Sequence, residues 1–114
     1  MKPVNWVGTS LKDLREFPQE VQRDIGYALH FAQLGVKHLQ AKPLKGIEGG
    51  VMEIVSNFNT DTYRAVYAVK IEDAIYVLHA FQKKSKQGIA TPKQEIDLIK
   101  KRLKEAKEYS KSVR

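Results

Sequence analysis

The chain contains no cysteine. A disulfide framework, a thiolate metal site and a cysteine nucleophile are therefore excluded, and the fold must stand on packing alone. Long apolar runs are also missing. No stretch approaches the roughly eighteen apolar residues of a membrane span, and the opening MKPVNWVGTS lacks the apolar segment of a signal peptide. A soluble, cytoplasmic protein with no membrane association is expected. His30, His38 and His79 are scattered without paired ligand spacing, so no metal site is supported. There is no glycine-rich phosphate loop, nucleophile elbow or dinucleotide fingerprint, and no cofactor is implied.

What the chain does have is charge, placed at one end. Residues 1–82 hold nine Lys/Arg against nine Asp/Glu, whereas residues 83–114 hold eleven against four, so the net charge of +7 arises wholly in the last 32 residues. Anionic partners should meet that end. Nucleic acid is the foremost candidate at a pI near 9.6; an acidic protein or a membrane surface could exploit the same charge. The segment YVLHAFQKKSK, residues 76–86, focuses this reading, because an alternating apolar strand runs directly into a cluster of lysines. With 114 residues, 42% of them hydrophobic, residues 1–114 make one domain with one modest core.

Periodicity gives the elements. Val4–Val7 reads as a short extended run, and Thr9 and Ser10 open a short helix that has Asp13 in its first turn. Pro18 and Glu20 suit the start of a second helix, with Val21, Ile25, Ala28, Leu29 and Ala32 on one face and Gly35 as its C-terminal stop. Residues 36–50, with Pro43, Gly46, Gly49 and Gly50, read as an ordered loop. Three strands follow, Val51–Phe58, Tyr63–Ile71 and Ala74–Gln82, forming an antiparallel meander. A closing helix is expected from Thr91 as cap and Pro92 as first helical residue, with a core stripe of Ile96, Ile99, Leu103 and Ala106 and a charged opposite face.

A two-residue turn at Glu72-Asp73 places Arg64 opposite Phe81, Val66 opposite His79, Tyr67 opposite Leu78, Val69 opposite Tyr76 and Lys70 opposite Ile75. A four-residue loop at Asn59–Thr62 places Phe58 opposite Tyr63, Asn57 opposite Arg64, Glu53 opposite Ala68 and Val55 opposite Val66. One sheet face then carries Met52, Ile54, Phe58, Tyr63, Ala65, Tyr67, Val69, Tyr76, Leu78 and Ala80 and is expected to be covered by all the helices. The other, left uncovered, carries Glu53, Val55, Arg64, Val66, His79, Phe81 and Lys83, and the chemistry is placed there. Each candidate has a plainer reading: Arg64 as an ion pair with Glu53, His79 as a hydrogen-bonded structural histidine, Phe81 as packing, and Lys83, Lys84 and Lys86 as solubilising charge.

Taken in order, TYRAVYAV, YVLHAFQKKSK and TPKQEIDLIKKRL resemble the HigB-like, phage-derived branch of the RelE toxin superfamily. The resemblance implies an α+β, RelE-like fold, with N-terminal helices and a C-terminal helix packed on one face of an antiparallel meander sheet. It implies a type II toxin: a ribosome-dependent endoribonuclease that cuts mRNA without metal, the ribose 2′-hydroxyl attacking the adjacent phosphate. A cognate helix-turn-helix antitoxin, the ribosome and mRNA are the implied partners. By position, Arg64, Lys83 and Lys84 match the catalytic cations, with Lys45 and Lys86 as substrate contacts; from the residues themselves His79 is a candidate base and Phe81 a ring that could stack on a base, both placed with the substrate-binding set. Two departures stand out. Glu53-Ile54-Val55 has valine where the family commonly has the arginine of Glu-Leu-Arg, and the QGIAT spacing before Pro92 is longer than usual. A non-catalytic nucleic-acid- or antitoxin-binding module on the same scaffold is the alternative.

Overall fold

The computed structural model describes residues 1–47, 49–83 and 91–113. In chain order the elements are β1 (Val4–Trp6), α1 (Ser10–Arg15), α2 (Gln19–Gln33), β2 (Ala41–Pro43), β3 (Val51–Phe58), β4 (Asp61–Ile71), β5 (Ala74–Lys83) and α3 (Lys93–Ser112). The strands form one sheet in the order β1-β5-β4-β3-β2. This is the expected α+β, RelE-like architecture, and the antiparallel meander β3-β4-β5 is its centre. Two edge strands go beyond the expectation. β1 pairs with β5 in parallel, and β2, inside the segment read as a loop, pairs antiparallel with β3. Three-residue strands carry too little periodicity to register in a sequence; their partners hold them extended.

Both long helices begin after an extended proline. Pro18 (φ −53°, ψ 147°) and Pro92 (φ −57°, ψ 149°) are the N-cap residues. The Pro92 carbonyl accepts from the amides of Glu95 and Ile96 at 3.0 and 3.1 Å. The expected cap Thr91 therefore lies one residue outside α3, and Lys93 is the first helical residue. At the end of α2 the Gly35 amide donates to Ala32 and the Val36 amide to Phe31, at 3.0 and 2.9 Å. Gly35 takes φ +78° in this paired stop, a left-handed conformation that glycine adopts without a Cβ penalty.

Register decides the site. The β3–β4 turn has two residues rather than four: Asn59 and Thr60 take φ values of 49° and 67°, the signature of a type I′ hairpin. Phe58 then pairs with Asp61, Val55 with Arg64 and Glu53 with Val66. This differs from expectation by two residues, an even slip, so every β3 side chain stays on its expected face. The β4–β5 pairs Arg64–Phe81 and Val66–His79 are as expected, but at Leu78 the register shifts. Tyr67 pairs with Val77 and Ala68 with Tyr76, and Lys70 falls within a second irregularity before Ile71 rejoins Ala74. A one-residue bulge exchanges faces, so Tyr76 and Leu78 lie on the opposite side from that expected.

The helices cover both faces, not one. Val21, Ile25, Ala28, Leu29 and Ala32 of α2 pack with Ile54, Ala65, Tyr67, Ile75, Val77 and Ala80. On the reverse side Ile99, Leu103 and Ala106 of α3 pack with Val66, Ala68, Tyr76, Leu78 and Phe81. The cause is compositional: β4 and β5 are apolar on both sides, and leaving Val66, Leu78 and Phe81 in water would forfeit about 1.5–3 kcal/mol for each large side chain.

Candidate active site

The face assigned to chemistry lies under α3, and its polar residues form two buried clusters. In the first, Glu53 of β3 is diagonal to Arg64 of β4 on the same sheet face. Arg64 Nη1 donates to both carboxylate oxygens of Glu53 at 2.9 Å. Both side chains are nearly enclosed, with 7% and 5% exposure. Lys42, directly opposite Glu53 on β2, brings its Nζ to 3.5 Å from the same carboxylate while remaining largely exposed. Lys83 sits at the end of β5, diagonal to Arg64, and is buried. Its pKa is lowered first by desolvation and then by the positive charges of Arg64 and Lys42, with Glu53 opposing.

Lys42, Glu53 and Arg64 meet a cleft of about 240 Å³ whose lining also includes Leu44, Lys45 and Ile96. Cations stand at its base and rim, and aliphatic side chains of the β2–β3 connection and α3 form its walls. A phosphodiester fits this chemistry: the charged diester meets Arg64 and the lysines, and a ribose or base edge meets Leu44 and Ile96.

The second cluster fixes α3 to the sheet. His79 Nε2 lies 2.9 Å from Glu95 Oε2, and its Nδ1 lies 3.4 Å from Arg102 Nη1. Arg102 has only protons to give, so Nδ1 is the acceptor and Nε2–H donates to Glu95, which is the neutral imidazole. Burial lowers the His79 pKa, against the pull of Glu95. Arg102 also donates to the Leu78 carbonyl at the bulge (2.9 Å) and to Thr9 Oγ1 (3.1 Å). Thr9 in turn donates to Asp13 at 2.8 Å. Gly8 takes φ +56°, and a Cβ there would stand 2.8 Å from Arg102 Nε. The guanidinium thus occupies the space a side chain at position 8 would fill.

The structure therefore brings Arg64 and Lys83 together, with Lys45 at the cleft rim. His79 and Phe81 are interior, 6% and 8% exposed, and stack on one another with ring centroids 4.8 Å apart. The expectation of an uncovered face fails at these two residues, because α3 lies across them. Lys84 and Lys86 lie outside the described residues. Val55 is half-buried and directly opposite Arg64, closer than its expected diagonal place. Sequence reasoning misses Lys42, because β2 reads as loop. It also misses Arg102, although the spacing from Ile99 and Ala106 puts this residue on the buried face of α3; a cation in an apolar stripe is a legible signal.

Among the described residues no group of His, Asp and Glu is placed to hold a metal ion, and no helix is long and apolar enough to cross a membrane. No curated protein matches the chain. Residues 12–104 match the model of the family described as phage derived protein Gp49-like (DUF891). That match spans most of the chain, from α1 through the cation cluster and into α3, and on it the protein belongs to the phage-derived Gp49-like family, a toxin-like family of the RelE and toxin–antitoxin-related group.

Proposed function

We propose that this protein is the toxin of a type II toxin–antitoxin pair, of the HigB-like kind, and that it cleaves mRNA on the ribosome. The observation that carries the reading is the pairing of Arg64 and Lys42 with Glu53 in the lining of a cleft, with Lys83 diagonal to Arg64 on the same sheet, in a chain of a toxin-like family. In the proposed reaction the 2′-oxygen forms a bond to phosphorus as the bond from phosphorus to the 5′-oxygen breaks. The 2′-hydroxyl gives up a proton and the 5′-oxygen gains one. Arg64 stabilises the charge that grows on the phosphate. Lys83, whose pKa is lowered by desolvation and by the Arg64 charge, is the proposed proton-transfer group. Lys45 positions the strand at the cleft rim; Lys84 as a further catalytic cation and Lys86 as a substrate contact are what the family resemblance implies. His79 and Phe81 act from beneath, holding α3 and β5 in register. The partners on this reading are a helix-turn-helix antitoxin, the ribosome and mRNA, in the cytoplasm.

The test is induction of the chain alone in a bacterial host, with primer extension on a translated message. New 5′ ends inside codons and growth arrest are expected, and both should vanish in Glu53→Gln/Arg64→Gln. One observation favours a second reading: Glu53 already pairs with the Arg64 guanidinium, and the resemblance implies an arginine where this chain has Val55. A non-catalytic module that binds RNA or antitoxin would show arrest without new 5′ ends.

A further inference from the structure

We propose that the outer face of α3 is a docking rail for the phosphate backbone of duplex RNA, separate from the cleft. Lys93, Lys100, Lys104, Lys107 and Lys111 are all exposed. At helical spacing they fall within roughly 80° of the circumference and extend over about 27 Å. The neighbouring acids do not neutralise this stripe as a whole. Glu95 is turned inward to His79, at 2.9 Å. Asp97 pairs with Lys93, at 3.7 Å. Glu105 and Glu108 fall to one side by the same spacing, and Glu105 lines a separate cavity of about 470 Å³ with Asn5 and Tyr109.

Three features select the partner. The rail is rigid, because Ile99, Leu103, Ala106 and Arg102 anchor the inner face of α3 in the core, so the lysines are held in line before binding. It is a reader of backbone and not of unstacked bases: the exposed ring of α3, Tyr109, lies off the stripe beside Glu105, and single-strand binders depend on rings that stack on bases. A duplex presents phosphates with its bases already stacked, and A-form RNA is met chiefly through backbone and shape. A membrane surface would call for apolar side chains flanking the lysines; Ile99, Leu103 and Ala106 of α3 are buried in the core, and the exposed Tyr109 lies off the stripe. The inference is independent of catalysis, since none of these lysines lines the cleft.

The experiment measures binding of the full chain to a fluorescent RNA duplex of arbitrary sequence across a salt series. A single-stranded RNA of equal length and phosphatidylserine-containing vesicles serve as comparison probes. Lys100→Gln/Lys104→Gln/Lys107→Gln/Lys111→Gln, checked for unchanged circular dichroism, should lose duplex affinity on the order of a hundredfold, and the slope of log affinity against log salt should flatten by about three. Unchanged affinity and slope in the lysine variant, no duplex binding by the unaltered chain, or preference for the single strand would each overturn the proposal. Loss confined to vesicles would assign the stripe to a membrane surface and overturn it too. Absence of message cleavage by the unaltered chain, with duplex binding intact, strikes the catalytic reading alone.

Discussion

The two faces of the sheet are built to different rules. Beneath α2, Val21, Ile25 and Ala28 are fully buried against Ile54, Ala65 and Val77, a face dry by comparison, where Tyr67 is buried too and the Ser56 hydroxyl donates to Asp24 at 2.9 Å. Beneath α3 the apolar contacts of Ile99 and Leu103 share the interior with Glu53, Arg64, His79 and Arg102. Strands β4 and β5 supply both, alternating by one residue: Ala65 faces α2 while Arg64 and Val66 face α3. The dry face carries stability. The polar face gives up part of it, because desolvated ions are held only by well-placed partners, and in return presents cations to a cleft.

The largest test of this contrast is at Arg64. Arg64→Ala leaves the Glu53 carboxylate buried with Lys42, and should cost about 3–5 kcal/mol in chemical denaturation and abolish cleavage. Glu53→Gln/Arg64→Gln should recover most of that stability and none of the cleavage. Restored cleavage in the double variant would place the chemistry elsewhere. On the dry face, Ile25→Ala should cost about 2–5 kcal/mol while cleavage per folded molecule is unchanged. A changed rate per folded molecule would show that the faces are not independent.

Acid should weaken the polar face selectively. The folded pKa of His79 lies below the ordinary 6.5 because burial disfavours the imidazolium. As pH falls through about 6.5 the unfolded chain takes up the proton first, so stability declines from there down to the folded value. Melting temperature should drop between about pH 7.5 and about pH 5, and His79→Gln should flatten that slope. An equal slope in the variant removes His79 as its source.

Val55→Arg sharpens the boundary of the cleft. It sets a second guanidinium directly opposite Arg64, and should cost about 1 kcal/mol through like-charge contact while cleavage rises. A loss of several kcal/mol with no activity would mean that the Gln40 segment, hydrogen-bonded to Val55 on both sides at 3.1 Å, closes the groove there. The smallest effect is expected at the hairpin. Thr60, β-branched at φ 67°, should gain about 1 kcal/mol on replacement by glycine with both faces undisturbed. A change in cleavage in Thr60→Gly would show that this turn reaches the site.

Much of the fold and part of the site are legible in the amino-acid sequence. The stripe Val21, Ile25, Ala28, Leu29 and Ala32 marks α2 because apolar residues repeat with the helical period. The Arg64–Phe81 and Val66–His79 pairs match those drawn from a two-residue turn at Glu72-Asp73, because the two register shifts between turn and site cancel. The pairing of Arg64 with Glu53 is the plain reading of both residues, and the even slip at Asn59-Thr60 does no harm because strand faces repeat every second residue.

What the sequence by itself determined are the properties that depend on neighbours along the chain: helix and strand periods, the proline starts and glycine stop, the cationic C-terminal third, and the motifs that mark the family. The tertiary structure alone decided the rest. The bulge at Leu78 turns Tyr76 and Leu78 toward α3, and its carbonyl is satisfied by Arg102, twenty-four residues away. Parallel pairing holds β1, and pairing with β3 holds β2 and so delivers Lys42 to Glu53. These outcomes rest on hydrogen bonds and burial between segments distant in sequence, where one extra residue in a strand reverses a face and no local pattern records it.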